Sequence, residues 1–511
     1  MKGNNYKGKA MLSRRWFIGG AAAFGAFGGT RFAKAKAMPS GEPRLRFGVV
    51  SDIHIKCSLG ADAADEEKFS GTFRHTLECF RDRGVDAVVI AGDLADNGII
   101  LQLEHVAATW RQVFPNDKAP DGRRVERLFV YGNHDMGGLP FGRGRLRGMS
   151  DEEIGKRIIL SDPKGVWERV FDEPYVPIWT KEVRGYRFVG AQWLVKGCRG
   201  RDERFNDGIA DFYAANSGKF DPSLPFFHVQ HPHPKDTCYG PWAWGCDAGL
   251  ATKALSAFPN AIALSGHSHY SLTDERSVWQ GAFTSVGTAS LLYLSDTYDE
   301  NSPEGFDNTS ACGSDAQRID AAKMTPRMYH TGRQGMVWSV YDDCIVVERT
   351  DYMHDQRLGD DWVMPLPATE PRPFAFAARA KKFRPPRFPD GARLGVERVI
   401  AKNRGGKDIP AVEREAVRIT IPAVVPDKDA RAHRFKVVGA GGGANKVKYV
   451  AAECSSNAPG HPRSRASTKC VFATADFPPG EVVFTVTPEN CFFAAGAPIT
   501  AKTMIGGRMK S

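Results

Sequence analysis

The sequence predicts an α/β layered domain followed by a small antiparallel β-sandwich domain. Three observations lead there. From Leu45 to about Val363, short apolar runs alternate with amphipathic helical stretches, as strands and helices packed in layers require. Seven prolines between Pro365 and Pro389 then interrupt any helix or central strand. Beyond them the apolar period becomes two. The composition, 42% hydrophobic and 25% charged over 511 residues, supplies a sizeable core and excludes collagen-like, coiled-coil and wholly disordered chains. The expected organisation is a leader over 1–37, an α/β domain over 38–363, a Pro-rich linker over 364–395 and a β domain over 396–511.

Residues 1–37 read as an export signal. Lys2, Lys7 and Lys9 form a basic start, and Ser13-Arg14-Arg15-Trp16-Phe17-Ile18 leads into a short Ala/Gly/Phe run ending at Gly29. Ala33-Lys34-Ala35-Lys36-Ala37 offers small-x-small cleavage after Ala35 or Ala37. The arginine pair ahead of a weakly apolar run resembles a twin-arginine signal, which implies the twin-arginine export machinery as the precursor's partner and a periplasmic, extracellular or cell-surface location. The run is too short for the roughly 20 residues that span a bilayer, and no later stretch reaches about 18 unbroken apolar residues, so no integral membrane anchor is expected.

The net charge of +10 invites a nucleic-acid reading, which its distribution removes. The leader holds eight Lys/Arg and no acid, leaving 61 bases against 59 acids. Residues 38–369 carry 36 bases and 47 acids, whereas residues 370–511 carry 25 and 12. The large part is acidic, so no nucleic-acid partner is expected. The basic C-terminal part either contacts an anionic or glycan partner of the envelope or packs against the acidic domain. None of the ten cysteines falls in a CxxC pair, which leaves zinc ribbons and thioredoxin-type motifs unsupported, and Cys238 and Cys246 are spaced to staple one loop.

Phe69, Phe73, Leu77 and Phe80 form the inner stripe of a helix stopped at Gly84, and Ile100, Leu103, Ala107 and Trp110 that of a second over Ile99–Phe114. In the C-terminal part, Val417-x-Ile419-x-Ile421, Val447-x-Tyr449-x-Ala451 and Val482-x-Phe484-x-Val486 alternate as strands, with turns at Gly439–Gly443 and Pro478-Pro479-Gly480. Phe477–Ile499 loosely resembles the last hairpin of a fibronectin type III module.

Five polar clusters each follow an apolar run in the first domain. Phe47–Val50 leads into Ser51-Asp52-Ile53-His54, Val88–Ala91 into Gly92-Asp93-Leu94-Ala95-Asp96, and Leu128–Tyr131 into Gly132-Asn133-His134-Asp135. Phe226–Gln230 leads into His231-Pro232-His233, and Ile262–Ser265 into Gly266-His267-Ser268-His269. Loops at strand ends are where open α/β sheets bind ligands. Carboxylate, imidazole and side-chain amide together suit Mn, Fe, Co, Ni or Zn, with no thiolate to demand a softer ion. Glycines before Asp93, Asn133 and His267 permit sharp turns that bring each side chain off the sheet edge.

This ordered set, D-x-H, G-D-x-x-D, G-N-H-D, a His after a strand, and G-H-x-H, resembles the calcineurin-like metallophosphoesterases over about residues 45–295. The resemblance implies a fold of two packed mixed β-sheets flanked by helices, and a pair of divalent transition-metal ions drawn from Mn, Fe, Zn or Co. It implies that Asp52, His54 and His269 hold one ion, Asn133, His231 and His267 the other, and that Asp93 bridges them. His134 is then the general acid or phosphate-oxygen stabiliser, oriented by Asp135. His233 is the alternative to His231, and His228, inside its strand, reads as a packed core histidine. The implied activity is hydrolysis of a small phosphate ester, a diester ahead of a monoester, by a water that the ions activate. The alternative is a non-catalytic binding or scaffold protein on the same fold, whose β domain binds a glycan or envelope partner. Asp96, where purple acid phosphatases carry Tyr, argues against that type.

Substrate residues are less marked. Arg143, Arg145 and Arg147 either meet a second phosphate or form a solvated basic loop. Trp242 and Trp244, in Tyr239–Gly245, either stack a base or sugar or pin the loop to the core.

Overall fold

The computed structural model describes residues 41–56, 63–137, 148–194, 205–240, 243, 245–295, 329–330, 332–368, 372–402, 413–452 and 467–506. The leader, Arg143, Arg145, Arg147, Trp242 and Trp244 lie outside them.

Among the described residues, fifteen strands build the first part: β1 (Leu45–Val50), β2 (Ala87–Ala91), β3 (Glu126–Val130), β4 (Ile178–Val183), β5 (Tyr186–Ala191), β6 (Phe226–Val229), β7 (Ala261–Ser265), β8 (Val278–Gln280), β9 (Thr284–Gly287), β10 (Leu294–Ser295), β11 (Tyr329–His330), β12 (Gln334–Val340), β13 (Cys344–Asp351), β14 (Gln356–Arg357) and β15 (Trp362–Pro365). One sheet runs β14-β13-β12-β1-β2-β3, with β15 also on β13, and the other runs β4-β5-β6-β7-β9-β8. Within them β1, β2 and β3 are parallel, as are β5, β6, β7 and β9.

Alternation along the strands explains how the sheets stack. Phe47, Val49, Val89 and Leu128 point between the sheets and meet Phe188, Phe227, Ile262 and Leu264 in one buried cluster. The Phe47 ring lies edge-on to Phe227 at 4.9 Å and stacks on Trp338 at 5.6 Å. Their neighbours Val50, Val88, Ile90 and Phe129 face outward, where α1 (Ala63–Asp82) and α2 (Ile100–Val113) cover them with Leu77, Phe80, Leu103 and Trp110. A Cβ at Gly48 would lie 2.4 Å from Phe80, so glycine is what lets α1 settle onto β1. Helices Ile209–Asn216 and Leu250–Leu255 cover the outer face of the second sheet. The expected double sandwich flanked by helices is therefore observed, and both sequence-predicted helices stand within a few residues of their expected ends.

The Pro-rich stretch differs from expectation. It is packed: β15 pairs with β13, Phe374 enters the inter-sheet core, and a helix Phe376–Lys382 fits between Pro373 and Pro385. The prolines bound these elements rather than forbid them.

Among the described residues, seven further strands make the C-terminal part. β16 (Gly395–Lys402), β17 (Glu413–Pro422) and β20 (Ser467–Ala473) form one antiparallel sheet. In the other, β18 (Arg434–Gly441) lies between β19 (Ala444–Ala451) and β21 (Gly480–Glu489), and β22 (Ile499–Ile505) closes it. Val417, Ile419, Ile421, Val482, Phe484 and Val486 fill the space between them, as their spacing predicts, while Val447 on edge strand β19 stays exposed. This part is tied to the first by Arg276 Nη2, 3.0 Å from His433 Nε2, and by the ion pair Lys428–Asp360. Cys238 and Cys246 are separate thiols, not the staple their spacing suggested. Among the described residues no helix is long and apolar enough to cross a membrane.

Candidate metal centre

The five strand-end clusters meet at one buried place. Donor atoms of Asp52, His54, Asp93 and His269 lie within 4.8 Å of one another, and those of Asp93, His231 and His267 do the same. Asp93 belongs to both sets. His269 Nε2 stands 3.0 Å from Asp52 Oδ1 and 3.1 Å from His54 Nε2, while Asp93 Oδ2 is 3.6 Å from His54 Nε2 and 3.1 Å from His231 Nε2. Asn133 Oδ1 and His267 Nδ1 approach the same His231 Nε2 at 3.0 and 3.1 Å.

Outer contacts decide which atom of each side chain faces inward. Asp52 Oδ2 accepts from Ser51 Oγ (2.5 Å) and the His267 N–H (3.0 Å), and Ser51 is itself held by Thr288. Asp52 Oδ1 is left buried with no hydrogen-bond partner. Asp93 divides in the same way: Oδ1 accepts the His134 N–H at 2.8 Å, and Oδ2 faces the imidazoles. His231 donates from Nδ1 to the Ala91 carbonyl (2.8 Å) and His269 to that of Tyr293 (3.1 Å), while His54 Nδ1 points at Asp96 Oδ1 (3.3 Å). His231, His269 and His54 therefore turn Nε2 inward, the outer-shell arrangement that orients metal ligands, while His267 faces the cluster with Nδ1. An orphaned carboxylate oxygen among inward-facing imidazoles fits a cation well.

The backbone is bent to achieve this. Asp52, His54, Asp93, His267 and His269 all take left-handed conformations, with φ of 50°, 45°, 54°, 72° and 57°. Such conformations cost a non-glycine residue roughly 1–3 kcal/mol each and cluster at functional sites. Gly92, with φ of 89°, makes the sharp turn expected before Asp93, but the glycines before Asn133 and His267 act differently. Gly132 and Gly266 do not need a positive φ; a Cβ at either would lie 2.2 Å from Asp93 Oδ1 or 2.4 Å from Asp52 Oδ2. They make room for the carboxylate arriving from a neighbouring loop.

Charge is balanced within the cluster. Burial would raise the carboxyls, but His269 and His231 hold Asp52 well below the carboxylate range, and His231 and His134 lower Asp93. Burial likewise opposes protonated imidazoles, yet Asp52, Asp96 and Asp93 hold His54 at about 10, and Asp93 and Asp52 hold His231 at about 9. At neutral pH those two protons occupy nitrogens that a cation would need. Metal uptake at pH 7 is therefore expected to release about two protons per chain, and acidification to weaken it. Calorimetry in buffers of different ionisation enthalpy measures that release.

His231 and His233 are now distinguished. Both nitrogens of His233 face hydroxyls, Ser265 at 2.8 Å and Ser268 at 2.7 Å, and burial lowers its pKa to about 3. His228 bonds Tyr213 (2.9 Å) and Gln230 (2.8 Å) as a core histidine. His231→Ala is expected to lose metal while His233→Ala keeps it and loses thermal stability, read from metal content and melting temperature.

His134 sits at the margin of the cluster, its ring edge-on to His54 at 4.5 Å and its Nδ1 donating to the Asp96 carbonyl at 2.7 Å. Burial lowers its pKa. The expectation that Asp135 orients this ring is corrected. The Asp135 carboxyl instead accepts the backbone N–H groups of Leu94 (3.2 Å), Ala95 (2.7 Å) and Gly132 (2.7 Å), tying the second and third motif loops together. Burial and nearby Asp93 push this carboxyl up to about 7.

Two contributors escaped the sequence reading: the Tyr293 ring packs on His269 at 4.2 Å, and the Trp193 ring lies 6.0 Å from His231 and 5.9 Å from His267. Asp96, named there as part of its motif, steers His54. Trp193, directly after β5, was detectable only as an aromatic at one more strand end.

A family model described as calcineurin-like phosphoesterase matches residues 45–271. Similar solved structures include a dimetal phosphatase from Danio rerio, with 12% identity and a TM-score of 0.33 over 63% of this chain and 99% of that one. A purple acid phosphatase from yellow lupin seeds shows 12% identity and a TM-score of 0.37 over 63% and 55%. GAP50, the anchor in the inner membrane complex of Plasmodium, shows 12% and 0.34 over 63% and 88%. No curated protein matches the chain. The matched segment spans all five motif loops, from Asp52 to His269, and residues 45–271 are a calcineurin-like phosphoesterase domain.

Proposed function

We propose that the protein is an exported phosphoric ester hydrolase working through two divalent metal ions. The observation that carries this reading is the pair of buried donor clusters sharing Asp93, with Asp52 Oδ1 orphaned between inward-facing imidazoles. Asp52, His54 and His269 would hold one ion, Asn133, His231 and His267 the other, and Asp93 both. Bound there, the ions would supply Lewis acidity toward phosphoryl oxygens and lower the pKa of bound water. With its Nδ1 on the Asp96 carbonyl, His134 has Nε2 left to carry the proton that a leaving alcohol would take. Asp135 keeps the loops carrying Asp93 and Asn133 at fixed separation. A diester is the favoured substrate class, because its single negative charge asks for no cation beyond the two ions.

The test is a panel of phosphate esters with Mn, Fe, Zn and Co on purified protein. Higher kcat/KM for bis(p-nitrophenyl) phosphate than for p-nitrophenyl phosphate supports the diester; the reverse order selects the monoester. Binding of metal without hydrolysis of any ester would favour the scaffold reading.

Export of a folded chain would let the ions be loaded before translocation. Arg14→Lys with Arg15→Lys is expected to strand active, metal-bound enzyme inside the cell. Trapped protein that is inactive and metal-poor would refute loading before export.

A further inference from the structure

A second concave site lies away from the metal centre, between the β13–β15 side of the phosphoesterase part and the C-terminal sandwich. The cavity measures about 300 Å³, and none of the proposed metal ligands lines it. Arg349, Arg379 and Trp362 line it and are nearly buried, at 4%, 4% and 3% exposure. Each has a buried nitrogen with no hydrogen-bond acceptor: Arg349 Nε, Arg379 Nη1 and Trp362 Nε1. The three groups are close together, since the guanidinium carbons of Arg349 and Arg379 lie 4.2 and 6.0 Å from the Trp362 ring centre. Buried donors normally find acceptors, and three orphans on one cavity wall point to an acceptor arriving from outside.

The local charge agrees. Glu275 alone pairs with both guanidiniums, reaching Arg349 Nη1 at 3.4 Å and Arg379 in close contact. Of the other carboxylates, Asp274 is held by Arg276 at 3.0 Å, Asp360 by Lys428 and Asp361 by Arg357, and Asp429 lines the cavity together with Lys382, Lys428 and Arg431. Glu275 is thus the carboxylate in contact with both buried cations. Burial drives both guanidiniums down, to about 9 for Arg349 against the opposing pull of Asp361 and Asp360, and to about 10 for Arg379 against that of Cys491 and Asp274. Phe374 and Phe383 add apolar wall beside Trp362, with the Arg379 guanidinium 5.0 Å from the Phe374 ring centre.

We propose that this cavity binds a small organic oxyanion, one carboxylate or phosphate group on an apolar body, with the oxyanion accepting from Arg349, Arg379 and Trp362. The volume sits at the lower end of small-molecule sites. Charge-assisted hydrogen bonds from a desolvated guanidinium fix the head group, and the aromatic wall takes the body.

The test is calorimetric titration of the full-length metal-loaded protein with benzoate and with its neutral isostere benzamide. Benzoate is expected to saturate one site per chain and benzamide to give no saturable binding. Arg379→Gln should weaken benzoate roughly tenfold or more and Trp362→Phe roughly threefold to tenfold. Trp362→Phe keeps the aromatic packing and removes only the indole N–H, so it remains informative if Arg379→Gln misfolds. Asp93→Asn should leave this binding unchanged, which separates it from capture at the metal centre. Equal binding of benzoate and benzamide, no binding of benzoate, unchanged affinity in Trp362→Phe, or loss in Asp93→Asn would each overturn the proposal. Absence of benzoate binding would mean that water alone serves the orphan donors.

Discussion

Asp93→Ala is expected to abolish the binding of both metal ions and to lower turnover by on the order of 10⁴-fold or more, about 5.5 kcal/mol of barrier. The two donor clusters have no other residue in common. Asp93 Oδ2 stands 3.1 Å from His231 Nε2 and 3.6 Å from His54 Nε2, one from each proposed ligand set, while Oδ1 anchors the His134 backbone. Removing the carboxylate takes away the counter-charge that holds His54 and His231 in place, and it removes one tie between the second and third motif loops, leaving those made by Asp135. Asp52→Ala differs in reach, because Asp52 Oδ1 lies 3.0 Å from His269 Nε2 but 4.0 Å from His231 Nε2. It should empty one position and spare part of the other. Metal content per chain, measured beside the rate, separates the two variants. Asp93→Ala with both ions retained would contradict the bridging role.

His134→Ala is expected to keep both ions and still slow hydrolysis about 10²- to 10⁴-fold, the usual scale of one proton-transfer group. His134 reaches the cluster through its backbone N–H and through ring contact with His54, so no donor is lost with its side chain. Its Nδ1 is committed to the Asp96 carbonyl, which fixes the ring orientation and turns Nε2 away from that bond. The slowing should be largest for poor leaving groups, whose oxygen needs the proton most, and smallest for p-nitrophenolate. A uniform slowing across leaving groups would assign His134 to phosphate binding instead.

The sequence exposed the strands and the ligands for the same physical reason. Buried parallel strands read as unbroken apolar runs, so the polar residues at their ends stand out, and Asp52, Asp93, Asn133, His231 and His267 each follow such a run. What stayed hidden depends on contacts between distant segments. Ser265 and Ser268 occupy His233, and nothing in Gln230–Pro234 reveals that. Asp135 looked like a partner for its neighbour His134 but reaches back some forty residues to Leu94 and Ala95. Gly132 and Gly266 looked like turn residues, yet their small size serves carboxylates from other loops. The connector's helix Phe376–Lys382 was obscured by prolines that turn out to sit at its borders.

The most direct test of the two-ion centre is to load metal-stripped protein with Mn(II), count bound ions per chain, and record the electron paramagnetic resonance spectrum. Two ions per chain with a spin-coupled signal is the expected result, and Asp93→Ala should abolish it. A single uncoupled ion, or full hydrolytic activity with none, would contradict the account.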